Sequence, residues 1–253
     1  LPAMKGTLFL IPNTLGEVQR ELQIQHVIPP LVAQRAAQLD RWIVENAKTA
    51  RAFLSAIHKT TPLRIPLQEI QMTQWRGPES EVDLKDLIAP LLAGHDMGLM
   101  SEAGLPAIAD PGTEIVALAH QLGITVRPLT GPNSLMLALM ASGMSGQRFS
   151  FHGYLPIKQA ERQKKLKSIE QDAKLHASAH LWIETPYRNT SMLTSLIVDL
   201  QPNTQLCIAI DLTLETEQII RQSISQWKKA VQSNTAQLPQ DLDKRPAVFI
   251  LQT

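Results

Sequence analysis

The sequence predicts an α/β protein, and three observations carry the prediction. Apolar runs of strand length alternate with stretches of helical period along most of the chain. Apolar residues make up 44% and charged residues 19% of 253 positions, enough for substantial cores and too few charges for a disordered chain. The segments joining runs to helices are stiff and small, the sharpest being "SEAGLPAIADPG" (101–112). By length, one large α/β domain or two modest ones are both admissible.

The elements follow in order. Thr7–Ile11 is an apolar strand run that stops at Pro12, and Trp42–Val44 is a second strand leading to a helix over Ala47–Ile57. Leu67–Gln71 is the third predicted strand, followed by a helix over Val82–Leu92 and a strand over Met97–Met100. In the helix Thr113–Leu122, residues Ile115, Leu118, Ala119 and Leu122 share a face; Asp110 is placed to cap it, Pro111 to open it and Gly123 to stop it. A strand over Ile124–Pro128 precedes a helix over Ser134–Ala141, bracketed by Pro132 and Gly143, with Met136, Leu137 and Met140 read as core. Arg148–His152 and His180–Ile183 are strands flanking a helix at Gln159–Ser168, and Asn189–Asp199 is the next helix. Gln205–Ile210, Glu217–Arg221 and Pro246–Leu251 are strands around a helix at Ser225–Val231, and their looser rhythm predicts a smaller mixed sheet. A joint is expected near Leu129–Gly131, dividing the chain into domains of residues 1–130 and 131–253.

Composition narrows the function. The net charge of +1 gives no global drive toward nucleic acid, but Lys158, Arg162, Lys164, Lys165 and Lys167 make one helix locally cationic. That face is either plain solvated surface or an RNA-facing one. Cys207 is the only cysteine, so a disulfide and a cysteine metal site are both ruled out within the chain, and its apolar strand makes it a buried thiol. No metal site is expected. No apolar run reaches the ~18 residues of a membrane span and no signal-peptide pattern is present, so a cytoplasmic location without membrane partners is expected.

No GxGxxG follows any predicted strand, which disfavours a nicotinamide or flavin nucleotide bound in the Rossmann manner. The 101–112 loop begins at the carboxyl end of a strand, where open α/β sheets bind ligands. Its glycines allow close backbone approach, its prolines stiffen it, and Ser101 and Glu102 add a hydroxyl and a carboxylate. Such a rim suits ribose hydroxyls and a cationic centre better than a bare phosphate; a plain β–α turn is the alternative. "PLTGPNS" (128–134) is a second loop of this kind, and "WIETPYRN" (182–189) a third, in which Glu184 and Arg188 are spaced either to pair or to face a crevice.

Taken in order, "LMSEAGLPAIADPG", "TGPNS", "RFSFHGYLP" and "WIETPYR" resemble the tetrapyrrole-methylase-like (class III) methyltransferases, in particular their branch acting on small-subunit ribosomal RNA. "IDLTLETEQIIR" (210–221) resembles a later family segment weakly. The resemblance implies the tetrapyrrole methylase fold: two α/β domains with S-adenosylmethionine in the cleft between them, the first on the substrate side and the second contributing to the cofactor site. It also implies a homodimer, and methyl transfer to a ribose 2′-hydroxyl of ribosomal RNA in the small subunit. By the same match the cofactor contacts are Ser101, Glu102, Ala103, Gly104, Leu105, Ile108, Asn133, Ser134, Phe151, Gly153, Tyr154, Leu155 and Pro186. Phe151 and Tyr154 read equally well as core. Glu184 and Glu102, with Glu45 behind them, are the candidates to take the hydroxyl proton, and Arg188 joins Lys158, Arg162, Lys164, Lys165 and Lys167 as the RNA-side cations. With aromatics at only 4%, backbone or shape recognition of RNA is expected over base stacking.

The chain departs from the family at "IPNTLGE" (11–17), at "VENAKTAR" (44–51) and at "IDLTLE", where basic residues of the family segment are missing. Three rivals therefore stay open: a class III methyltransferase of tetrapyrroles or other small molecules, a non-enzymatic RNA-binding scaffold, and, last, a nicotinamide oxidoreductase.

Overall fold

A computed structural model describes residues 3–235 and 238–253. The chain divides into two compact units, residues 1–133 and 134–253.

Unit 1 holds β1 (Thr7–Leu10), α1 (Arg20–Val27), α2 (Pro30–Gln38), β2 (Arg41–Val44), α3 (Ala47–His58), β3 (Gln71–Gln74), α4 (Leu84–Leu92), β4 (Met97–Met100), α5 (Thr113–Gln121) and β5 (Thr125–Pro128). Its five strands form a parallel sheet in the order β3-β2-β4-β1-β5. The central strand β4 is buried along its whole length, as a parallel strand covered on both faces must be. Phe9, Ile11 and Trp42 pack with α1, α2 and α3 in one cluster, whereas Leu8, Ile43 and Leu99 pack with α4 and α5 in another. Helices thus cover opposite faces, and side chains alternate between them along each strand.

Unit 2 holds α6 (Ser134–Ser142), β6 (Phe149–Tyr154), α7 (Gln159–His176), β7 (Ala179–Ile183), α8 (Asn189–Asp199), β8 (Gln205–Ile210), β9 (Gln218–Ser223), α9 (Ile224–Ser233) and β10 (Ala247–Gln252). Its sheet runs β6-β7-β10-β8-β9, with β6 and β7 parallel and the remaining pairs antiparallel. The mixed sheet is therefore as wide as the first, not smaller as its loose rhythm suggested. α7, α8 and α9 share a core with Trp182, Ile208 and Phe249. Cys207 lies within β8, buried, and burial pushes its thiol up to about 11.

Four local expectations are corrected. Leu67–Gln71 is not a strand: residues 67–69 form a 3-10 turn and β3 begins at Gln71, an edge strand whose polar side chains show no buried alternation. Helices α1 and α2 went unforeseen, because α1 buries only Gln23 and Ile24 and α2 buries mainly alanines. Met136 and Met140 are 45% and 76% exposed, while Leu135, Ala138 and Leu139 face inward. Asp110 does not cap α5; Gly112 occupies the cap position without a side-chain bond. Among the described residues no helix is long and apolar enough to cross a membrane.

On the α7 side of unit 2, His152 Nε2 and His180 Nδ1 lie 2.7 Å apart with their rings stacked. The carboxylate of Asp172 accepts from Ser178 Oγ at 2.9 Å and lies 2.9 Å from His176 Nδ1 and 3.0 Å from His180 Nε2. The cluster ties β6 and β7 to the end of α7, and burial pushes His152 down to about 4.

Candidate functional site

In unit 1, β1 and β4 lie side by side, yet the chain leaving β1 enters helices on one face and the chain leaving β4 enters α5 on the other. Loops that diverge in this way open a crevice at the carboxyl ends of the strands. Three loops meet there. The Asn13 N–H donates to the Gly104 carbonyl at 2.9 Å, and the Gly104 N–H donates to the Thr14 carbonyl at 3.3 Å. Asn13 is fully buried; its Nδ2 donates to the Glu102 carbonyl at 3.0 Å and its Oδ1 accepts from the Thr14 N–H at 2.8 Å. The third loop closes at Gly131, where an added Cβ would stand 2.1 Å from Cβ of Pro12, so only glycine permits the approach.

The 101–112 loop is strained as well as stiff. Ala107 and Ala109 hold φ of 64° and 61°, left-handed values that cost an alanine roughly 1 kcal/mol each. Ser101 is buried and its hydroxyl donates to the Ala103 carbonyl at 3.1 Å. Gly104 is buried, Ala103 and Leu105 are half-buried, and Ile108 is exposed. The loop holds no lysine or arginine, only carboxylates. Glu45 Oε2 accepts from the Glu102 N–H at 2.9 Å, and Thr49 Oγ1 donates to Glu102 Oε1 at 3.2 Å. Asp110 is raised to about 6, chiefly by burial and then by the Glu45 charge, against the stabilising Ser101 hydroxyl. Asn133 ends the unit.

In unit 2, Ser134 opens α6. The pair β6/β7 slips register between Phe151 and Tyr154, with Gly153 at φ 66° in the slip. Leu155 belongs to the helix-side core, whereas Phe151 and Tyr154 are exposed, so the core reading of these two rings does not hold. Glu184 Oε1 accepts from the Thr185 N–H at 2.8 Å. Among the described residues Glu184 and Arg188 form no ion pair; the Arg188 guanidinium sits 5.4 Å from the ring centre of Tyr187, in the 3-10 turn Pro186–Arg188. Lys158, Lys164, Lys165 and Lys167 are exposed along the first half of α7, and Arg162 Nη1 donates to the Ile157 carbonyl at 2.9 Å. The loop after β8 is clamped by Arg245, whose Nε donates to Asp211 at 2.7 Å and whose Nη2 donates to the Thr216 carbonyl at 2.6 Å. Thr213, β-branched yet at φ 74°, sits inside that clamp.

Comparison with known proteins gives this geometry a family. A ribosomal RNA small subunit methyltransferase I from Synechocystis is 34% identical over 239 residues, covering 94% of this chain and 76% of the relative. The chain belongs to the ribosomal RNA small subunit methyltransferase I family. Enzymes of that name from Halalkalibacterium halodurans and Bacillus subtilis are 27% and 26% identical, over 88% and 87% of this chain and 70% and 68% of their own lengths. No protein-family model matches the sequence. Among solved structures, the methyltransferase CobJ aligns with TM-score 0.56 at 14% identity, and a cobalt precorrin-4 methyltransferase, CbiF, with 0.54 at 12%. They cover 98% and 97% of this chain and are each covered to 94%. The fold is that of the tetrapyrrole methylases. At these identities the likeness speaks to architecture, and it does not favour a tetrapyrrole substrate over RNA.

Within this family fold, Ser101–Ile108 is gathered with Glu45, Thr49 and Asp110 in unit 1, whereas Glu184 and Arg188 belong to unit 2. Asn13 and Thr49 are not among the site residues the sequence predicts, and Asp110 is predicted there only as a helix cap. Asn13 carries a readable signal, a polar amide directly after an apolar strand and a proline.

Proposed function

We propose that the protein transfers a methyl group from S-adenosylmethionine to a ribose 2′-hydroxyl of small-subunit ribosomal RNA, acting in the cytoplasm and as a homodimer. The observation that carries this reading is the knot of three loops at the β1/β4 divergence, with backbone groups and carboxylates but no cation, in a chain of this family. The donor set suits S-adenosylmethionine: backbone groups of Ser101–Ile108 and Asn133 for the adenosyl part, and carboxylates for ribose hydroxyls and the positive sulfur. The bound donor supplies a methyl group already activated on a sulfonium.

The chain's own work is then alignment, exclusion of water and proton removal. A ribose hydroxyl is a weak acid, and a base near neutrality serves it best. Asp110, raised to about 6, is ionised at neutral pH yet basic enough to accept the proton. Glu102, held by Thr49, and Glu45, held by the Glu102 N–H, fix the loop around it. Glu184 is engaged by its own turn and is assigned to positioning. The cationic face of α7, with Arg188, takes RNA phosphates.

The test is transfer of labelled methyl groups to small ribosomal subunits from cells lacking this enzyme, followed by mapping of the label. A single labelled ribose is expected. Label on a base or on protein, or none with a protein that binds the donor, overturns the reading.

A further inference from the structure

Of eleven aromatic side chains, the seven at Phe9, Trp42, Phe53, Trp75, Trp182, Trp227 and Phe249 are buried. The other four, Phe149, Phe151, Tyr154 and Tyr187, all belong to β6, or to the turn following its partner β7, and are 36–66% exposed. A chain that buries every tryptophan leaves both of its tyrosines in water at one end of one strand pair. Hydrophobic burial would have drawn such rings inward, since each carries a large apolar surface.

Local structure holds them out. Phe151 pairs with Leu181 and Tyr154 with Ile183, so β6 spends one residue more than β7 over that interval. A bulge of this sort re-aims the side chain that follows it. Gly153 takes the left-handed conformation required, with open space where a Cβ would sit. Tyr187 is carried by the 3-10 turn opened by Pro186, four residues beyond the Ile183 partner of Tyr154. Both phenols therefore stand at the carboxyl ends of adjacent parallel strands.

Cations accompany them. Arg188 lies against the Tyr187 ring, Arg162 is fastened to the carbonyl of Ile157 just beyond Tyr154, and Lys158 begins the basic face of α7. Aromatic faces interleaved with cations match the needs of unstacked nucleotides, bases on the rings and phosphates on the charges. An apolar occupant would make no use of those cations, whereas RNA phosphates would neutralise them.

We propose that Tyr187 and Tyr154 form a stacking platform for unpaired bases of the RNA substrate. The proposal rests on the RNA reading above and names the feature of RNA the enzyme recognises, single-stranded bases and not a duplex alone. It moves Tyr154 from the cofactor to the substrate and replaces the expectation, drawn from scarce aromatics, that backbone or shape recognition is favoured over base stacking.

The test is binding of a fluorescent single-stranded oligoribonucleotide and of a duplex of equal length, across a salt series. Tyr187→Ala is expected to weaken single-strand binding about 10-fold, and Tyr154→Ala comparably, with the salt dependence unchanged, since stacking involves no phosphate. Tyr187→Phe keeps the affinity, whereas Tyr187→Leu loses it. Calorimetric affinity for S-adenosylmethionine and the mass in solution stay as in the wild type, which also shows that the variants fold. Retained binding in both alanine variants, or in Tyr187→Leu, overturns the platform. So does a fall in donor affinity, which makes the site a cofactor seat, or a fall in mass, which makes it a contact between copies. Aromatic-dependent RNA binding without methyl transfer overturns the methylation reading alone; methyl transfer without aromatic dependence overturns the platform alone.

Discussion

The carboxyl ends of the parallel strands in unit 1 and of the parallel pair β6/β7 in unit 2 are built on opposite principles. In unit 1 the loops after β1, β4 and β5 are locked to one another through a buried amide and a glycine contact, and offer backbone and carboxylates. In unit 2 the ends of β6 and β7 are open, and offer exposed rings and cations. Rigid backbone suits a small ligand that must be held at fixed geometry; adaptable rings and charges suit a polymer that must be accepted in part and released. The difference teaches where each kind of mutation should bite: chemistry and folding in unit 1, RNA affinity and its salt dependence in unit 2.

The sharpest way to break this division is Asp110→Asn. The change keeps shape and removes the base, so turnover is expected to fall by about 10²- to 10⁴-fold with donor affinity little changed. In the wild type the rate should climb with pH through about 6 and then level, and the variant should lose that limb. Stability moves the other way. With a folded pKa above the unfolded one, the carboxyl binds its proton more tightly in the native state, so folding weakens as pH rises from about 4 to about 6 and stays weakened above. The asparagine variant should therefore be more stable at pH 7.5 by on the order of 1 kcal/mol, discounted for partial exposure. A variant with normal turnover ends the base assignment.

The next effect tests the knot itself. Gly131→Ala drives a methyl group into Pro12, a ring with no freedom to retreat, and should cost about 1–3 kcal/mol in denaturant unfolding. Because the loops must part to admit it, donor affinity should fall with it. Gly153→Ala meets open space, and its cost should be the smaller one of positive φ alone. Equal costs at the two positions would erase the contrast between the locked and open ends.

Much of this was legible in the sequence, for physical reasons that differ by element. Buried central strands such as β4 and β8 are short apolar runs and announce themselves. α3 and α5 show one apolar face and firm boundaries. What stayed hidden was structure whose stabilisation is not apolar: α1 with its buried Gln23, α2 packed through alanine, and the polar edge strand β3. The candidate loop was legible as a loop because glycine and proline are local signals. Its partners were not, since the bonds from Asn13 to residues near 102 link positions far apart in sequence. At Asp110 a helix cap and a half-buried loop carboxyl look alike in sequence until the helix start is fixed by Gly112. The exposed tyrosines were invisible for the opposite reason: composition counts aromatics and says nothing of which are turned outward.

In unit 2, replacing Lys164, Lys165 and Lys167 together by Gln should act on RNA alone. Each lysine that neutralises a phosphate adds roughly 0.7 to the slope of log affinity against log salt for single strands, so its removal flattens the line, and a drop of up to about 2 is expected for the three. Turnover at saturating RNA should hold, in contrast to Asp110→Asn. An unchanged slope would make α7 an ordinary solvated face.

The smallest effect is expected at the histidine pair that fastens β6 to β7 and α7. His152 is pushed down to about 4 by burial, then by His180 and by Lys165, with Asp172 opposing. An unfolded histidine takes its proton near 6.5, so between that pH and about 4 the unfolded chain holds more protons than the native one. Stability from this group is fully present above pH 6.5 and drains away as pH falls toward 4. Half-burial and solvent screening limit the loss to about 1–2 kcal/mol. His152→Asn removes the titrating ring while keeping a polar group of similar reach, and should flatten unfolding midpoints between pH 6.5 and 4.5. Since β6 also carries Tyr154, the wild type should lose single-strand RNA affinity over the same interval before it loses donor binding in unit 1. Loss of both together would mean that the edge of the second sheet is not released separately, and that the locked and open ends respond to acid as one.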